Sequence, residues 1–104
     1  MKKKVVYIAG PITGVEKYWE PFERAEDELT AVGCIVLTPT RLPLGLDNAQ
    51  YMRIDLATLD CADLVLFLPG WTESHGALVE HAYSIYTGKH CFYSIKQLKE
   101  VLKL

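Results

Sequence analysis

Two carboxylates and one tyrosine carry the chemistry this sequence can offer. Glu80 closes the run Ser74-His75-Gly76-Ala77-Leu78-Val79-Glu80. With Ser74 as a cap, this run opens a helix from about His75 to Thr87, and Glu80 falls near its N-terminal end. Gly76 and Ala77, at i−4 and i−3, keep the helical face beneath the carboxylate bare, so that a small molecule has room to reach it. A solvated glutamate favoured by the helix dipole would leave the same pattern. Asp55 borders the apolar stripe of Met52, Leu56 and Leu59, which predicts a partly shielded carboxyl. Two carboxylates in one pocket suit attack at an anomeric carbon, where one forms a covalent glycosyl-enzyme and the other handles the proton of the leaving group. Tyr7, placed at the end of the first apolar run, either orients the nucleophile through a hydrogen bond or serves as a core aromatic.

The elements that must position these groups follow from hydrophobic periodicity. Val5-Val6-Tyr7-Ile8-Ala9 reads as a buried strand that stops at Gly10-Pro11. Pro21 suits the first turn of a helix whose apolar stripe is Phe22, Ala25 and Leu29, and Gly33 ends it. Cys34 to Leu37 forms a second strand, Asp47 or Asn48 caps a second helix, and Leu64 to Leu68 is apolar on both faces, as a central parallel strand should be. Lys89 to Tyr93 gives a fourth strand, and Ile95, Leu98, Val101 and Leu102 a final amphipathic helix. This alternation predicts one α/β domain over residues 1–104. Its sheet is flavodoxin-like (Rossmann-like) and parallel, with about four strands in the order 2-1-3-4 and helices on both faces. The topological switch point then lies between the first and third strands, where ligands of open α/β sheets bind. The two most glycine-marked loops, Gly10 to Gly14 and Pro69 to Gly76, border that crevice. Each admits a ligand against the backbone or simply needs glycine for a tight turn.

Composition narrows the function classes. The chain has 104 residues, is 50 % apolar and 23 % charged, and carries a net charge of −2. That is enough for one core and excludes disorder as the main state. The balance argues against polymeric nucleic acid as a partner, and Lys2-Lys3-Lys4 reads as a solubilising terminus. The longest apolar run, Leu64 to Leu68, is far short of the ~20 residues of a membrane span, and Val5 to Ala9 is too short for a signal-peptide core. Cys34, Cys61 and Cys91 lack metal or redox spacing and read as buried free thiols of a reducing compartment, so a cytoplasmic location is expected. His75, His81 and His90 are not at metal-ligand spacing either, and neither metal nor cofactor is expected. Trp71 and Tyr83 are available to stack a flat ring or to pack. Tyr18 and Trp19 can form a lid or staple the first helix.

The string Tyr7-Ile8-Ala9-Gly10-Pro11-Ile12-Thr13-Gly14, then Asp55, then Ser74-x-Gly76-x-x-x-Glu80, resembles the nucleoside 2-deoxyribosyltransferase superfamily. Leu68-Pro69-Gly70-Trp71 followed by Ser74-His75-Gly76-Ala77 resembles its short phage and bacterial members, which are related to deoxynucleoside 5′-monophosphate N-glycosidases. The resemblance implies that Glu80 attacks C1′ of a 2′-deoxyribonucleoside or its 5′-monophosphate, that Asp55 serves the leaving base, and that Tyr7 positions the nucleophile. It places Gly10, Pro11, Thr13, Gly14, Gly70, Trp71, Ser74 and Gly76 around the substrate, with Ser74 matching a serine that contacts the 5′-phosphate. Pro11 and Thr13 stand where the hydrolase branch has a serine and an arginine, which removes a charge-assisted phosphate contact. The resemblance also implies a homodimer or higher homo-oligomer, any residue lent by a neighbour coming from a segment such as Ser94 to Lys99. A nucleotide-binding module without turnover, or an oligomeric scaffold, is the competing expectation.

Overall fold

The run Val5–Ala9 forms the first strand, β1, and its alternating side chains divide the molecule into two layers. A computed structural model describes residues 2–102. Met1 and Lys103–Leu104, at the ends of the expected domain, lie outside the described residues. Helix α1 spans Trp19–Ala31, β2 Ile35–Leu37, α2 Asn48–Asp60, β3 Leu64–Phe67, α3 His75–Tyr86, β4 His90–Phe92 and α4 Ile95–Leu102. Short 3-10 turns at Pro39–Arg41 and Trp71–Glu73 complete the connections. All strand pairs are parallel and the order is β2-β1-β3-β4, as the alternation of elements requires.

Val6 and Ile8 point to one face of the sheet and Tyr7 and Ala9 to the other, because successive strand residues alternate. On the first face Val6, Ile8, Leu64 and Leu66 pack with Phe22, Ala25 and Leu29 of α1 and Leu98 of α4. On the second, Tyr7, Ala9, Val65 and Phe67 pack with Leu59 of α2, joined by Trp71 and by Tyr83 of α3. The chain therefore changes face between α1 and α2, which puts the switch point between β1 and β3. Asp47 caps α2 through a capping box with Gln50, and Ser74 caps α3 by accepting from the Ala77 N–H at 3.3 Å.

Three expectations need correction. Strands two to four each begin or end about one residue inside the sequence reading: the N–H groups of Cys34 and Lys89 bond back to Leu29 and Ser84 of the preceding helices, and Leu68 leaves the ladder after donating to the Ala9 carbonyl. Tyr7 lies in the middle of β1 rather than at its end. Cys34 is buried and Cys91 half-buried, but Cys61 is exposed at the C-terminus of α2, where its thiol donates to the Ala57 carbonyl. No helix of the described residues is long and apolar enough to cross a membrane.

Candidate active site

The loops after β1 and β3 meet at the switch point. Gly70 adopts φ +88°, a left-handed conformation that glycine tolerates best, and a β-carbon there would press on Cγ of Pro11 at 3.2 Å. Gly10 is also needed for close approach, since its β-carbon would meet Leu68 at 3.0 Å and the Phe22 ring at 3.3 Å. Gly14, at φ +75°, faces open space. Thr13 and Gly14 are exposed at the rim, and Pro11 is half-buried.

Below this junction Glu80 is 4 % exposed, not a solvated surface glutamate. Tyr7 is fully buried, and its hydroxyl donates to Oε2 of Glu80 at 2.5 Å. Strand β1 supplies the donor and the inward face of α3 the acceptor. Burial raises the Glu80 pKa to about 7; the Tyr7 hydrogen bond opposes the rise and the charge of Asp55 adds to it. Asp55, on α2, is half-buried and desolvation lifts its pKa to about 6. Its charge reaches Tyr7 as well as Glu80, and together with burial the two carboxylates hold the phenol strongly protonated. Asp55 Oδ1 is shut off from water with no hydrogen-bond partner among the described residues. A buried acceptor left open in this way is costly, and such groups concentrate where a ligand completes the set.

Tyr7, Asp55 and Glu80 thus converge into one coupled group. The remaining sequence-selected residues surround it with other duties. The face beneath Glu80 is not bare: Gly76 lets α2 approach, and the Met52 methyl lies 3.6 Å from where its β-carbon would be. Trp71 packs against Phe67, His81 and Tyr93, with its ring centroid 4.3 Å from that of His81. Tyr83 donates to Oδ2 of Asp60 at 2.5 Å rather than offering a free stacking face. Tyr18 precedes α1, and its ring meets Trp19 edge-on at 5.4 Å. Two residues without a sequence signal above also belong here. Ser84 is fully buried and donates to the Glu80 carbonyl at 2.7 Å; its i+4 spacing from Glu80 in an otherwise apolar helix was the available clue. His81 shares a 2.8 Å hydrogen bond with the Tyr93 hydroxyl.

Two open concavities, about 500 Å3 beside Glu23, Asp27 and Arg41 and about 330 Å3 beside Glu28, Lys96 and Lys99, lie on the α1/α4 layer, away from these carboxylates. We take the coupled carboxylates as the site, because a concavity without perturbed groups offers volume but no chemistry.

Residues 4–93 match the family described as Domain of unknown function (DUF4406). The chain belongs to this family. The match runs from just before β1 to just after β4 and so includes every residue of the coupled group. No curated protein and no solved structure matches the DUF4406 chain.

Proposed function

We propose that this DUF4406 domain cleaves or transfers at the N-glycosidic bond of a 2′-deoxyribonucleoside or its 5′-monophosphate, through a covalent glycosyl-Glu80 intermediate. One observation carries the reading. A buried glutamate is held by a tyrosine and lies within reach of the charge of a second shielded carboxyl at the switch point of a parallel sheet. In the first step Glu80 Oε attacks C1′ and the C1′–N bond breaks. The bond pair leaves on the base nitrogen, and Asp55 supplies the proton that neutralises it. Water or a second base then attacks C1′, frees the Glu80 carboxylate, and returns a proton to Asp55.

The proton inventory fits this sequence of events. With pKa values of about 7 and 6, the two carboxyls share about one proton near pH 6.5 and about half a proton at pH 7. In the empty site that proton favours Glu80, whereas attack requires it on Asp55. Tyr7 donates to the ionised form of Glu80 and so biases the exchange in the required direction. A base nitrogen that hydrogen-bonds to protonated Asp55 would complete the shift. This assignment uses no metal or cofactor, and the substrate is a small nucleoside or nucleotide rather than a polymer or a membrane, in a cytoplasmic setting.

Incubation with the four deoxynucleosides and their 5′-monophosphates, followed by chromatography of free base, tests the proposal. Base release is expected for at least one, and Glu80→Ala should reduce it at least about 10³-fold. Release that persists in Glu80→Ala, or none from any of the eight compounds, overturns it. Calorimetric binding without release would instead favour a nucleotide-binding module, a reading motivated by Thr13 standing where a basic residue would contact phosphate.

A further inference from the structure

Helices α2 and α3 lie side by side on one face of the sheet, and they meet at three levels. Near their N-terminal ends Met52 covers Gly76, its methyl 3.6 Å from where a β-carbon would stand. Midway, the charge of Asp55 reaches Glu80. At the far end the Tyr83 hydroxyl donates to Oδ2 of Asp60 at 2.5 Å. Met52, Asp55, Leu59 and Asp60 follow one another at i, i+3, i+7 and i+8, and Gly76, Glu80 and Tyr83 at i, i+4 and i+7. Each set is one stripe of its helix, so the carboxylate pair is the middle rung of a seam closed at both ends.

We infer that Tyr83, Asp60 and Lys89 form a clasp that fixes α2 against α3, which makes Tyr83 a positioning residue for the Asp55–Glu80 pair. The inference deepens the glycosidic reading, and its kinetic consequence rests on that reading. Among the described residues no other side-chain hydrogen bond joins the two helices. Lys89 holds the same end of α2 from the segment that follows α3. Its N–H bonds back to the Ser84 carbonyl, and its ammonium donates to the carbonyls of Asp60 at 2.8 Å and Ala62 at 2.7 Å. A cation at the C-terminal carbonyls of α2 is favoured by the helix dipole. Both ties therefore run from α3, or the turn after it, to the end of α2.

The clasp bears on the carboxylates because their state depends on separation and on shared burial. Desolvation is the main cause of the raised pKa of both Asp55 and Glu80, and the Asp55 charge adds to that of Glu80. If α2 slackens against α3, water reaches both carboxyls and the charges draw apart, so both should titrate lower. The Tyr7 bond has the opposite sign, since losing it raises Glu80. The groups that act on Glu80 are Tyr7 of β1 and Asp55 of α2. Asp60 is exposed and is not one of them, so its influence passes through the clasp rather than through its charge.

Carboxyl carbon NMR shifts of the full chain, followed without substrate across the acid and neutral range, read the pair directly. Tyr83→Phe should lower the titration midpoints of Glu80 and Asp55 by about 0.5 each, with the far-UV spectrum unchanged. Asp60→Asn keeps an oxygen acceptor and should behave as the wild type, whereas Asp60→Ala should follow Tyr83→Phe. Lys89→Met deletes a cation, which by charge alone would raise carboxyl midpoints; through the clasp it should lower them. This variant decides if Tyr83→Phe fails to fold. In base release, Tyr83→Phe should lower kcat about 3- to 10-fold and leave KM within about two-fold, because it acts through the carboxyls rather than on substrate. Midpoints unmoved in Tyr83→Phe, midpoints raised in Lys89→Met, or Asp60→Asn matching Asp60→Ala overturn the inference and leave the glycosidic reading standing. Absence of base release from the wild type overturns that reading instead, and the titrations still decide this one.

Discussion

On one face of the sheet, α1 and α4 bury Phe22, Ala25, Leu29 and Leu98 and turn Glu23, Arg24, Asp27 and Glu28 to water. On the other, α3 buries Glu80 and Ser84 and turns Leu78, Val79, Ile85 and Tyr86 outward. The same sheet and the same strand residues thus support two opposite arrangements. The first follows the usual rule that folding gains come from removing apolar area from water. The second departs from it twice, with an acid inside and a greasy stripe outside. Proteins break such rules mainly at functional sites, so the departure supports the α2/α3 face as the place of the proposed function.

The largest stability effect should therefore come from the conventional face. Phe22 is 1 % exposed and joins β1 to α1, so Phe22→Ala removes buried area and leaves a cavity. A loss of about 3–5 kcal/mol is expected in urea unfolding. A loss below about 1 kcal/mol would mean that this layer is not the structural one.

On the reactive face the expected sign reverses. The folded-state pKa of Glu80, about 7, lies above its ordinary 4.5. Protonated Glu80 therefore favours the fold, with the contribution complete below about pH 4.5 and lost as pH rises through 7. At pH 8 the ionised group costs about 3 kcal/mol. Glu80→Gln keeps the shape and removes the charge, so it should stabilise the protein at pH 8 by up to that amount while removing activity. Melting temperatures recorded from pH 5 to 8 check this: the wild type should fall with pH, and the slope should flatten in Glu80→Gln.

A smaller effect separates positioning from bulk. Tyr7→Phe leaves the ring in its pocket but deletes the bond that lowers the Glu80 pKa. The pKa should rise further, moving the acid limb of the kcat/KM profile to higher pH and lowering kcat/KM about 10- to 100-fold at neutrality. If Tyr7 acts only as core packing, the limb stays where it is.

How much of this was legible in the sequence depends on which residue is asked about. The strand order and the switch point follow from the alternation of short apolar runs with helical stripes, because parallel crossovers leave few topologies open. Glu80 was visible from its place after Gly76 and Ala77, but not its depth. Residue type alone reads as solvated, and the depth depends on which side of α3 meets the sheet. Met52 filling the space over Gly76 was hidden for the same reason, since it comes from a different helix. The outer stripe of α3 was written in plain sight at helical spacing, yet it reads naturally as the core-facing side. Periodicity reports that a helix has two faces, and only tertiary contact says which one is inside.

The smallest effect belongs to the charged coat of the conventional face. Arg41 donates to Oε1 of Glu26 at 2.7 Å, a short and well-directed pair, yet the Arg41 side chain is 66 % exposed. Water competes for the guanidinium, salt screens it, and holding the long side chain costs rotamer freedom. Arg41→Ala should therefore change stability by less than about 1 kcal/mol, and added salt should erase much of that difference. The contrast with Glu80 is the point of the measurement. The exposed Arg41 charge, paired with Glu26 of α1, should matter less to folding than the single buried carboxyl of α3, because the energy of a charge is set by its access to water more than by its having a partner. A loss above about 2 kcal/mol in Arg41→Ala would erase the distinction between the two faces.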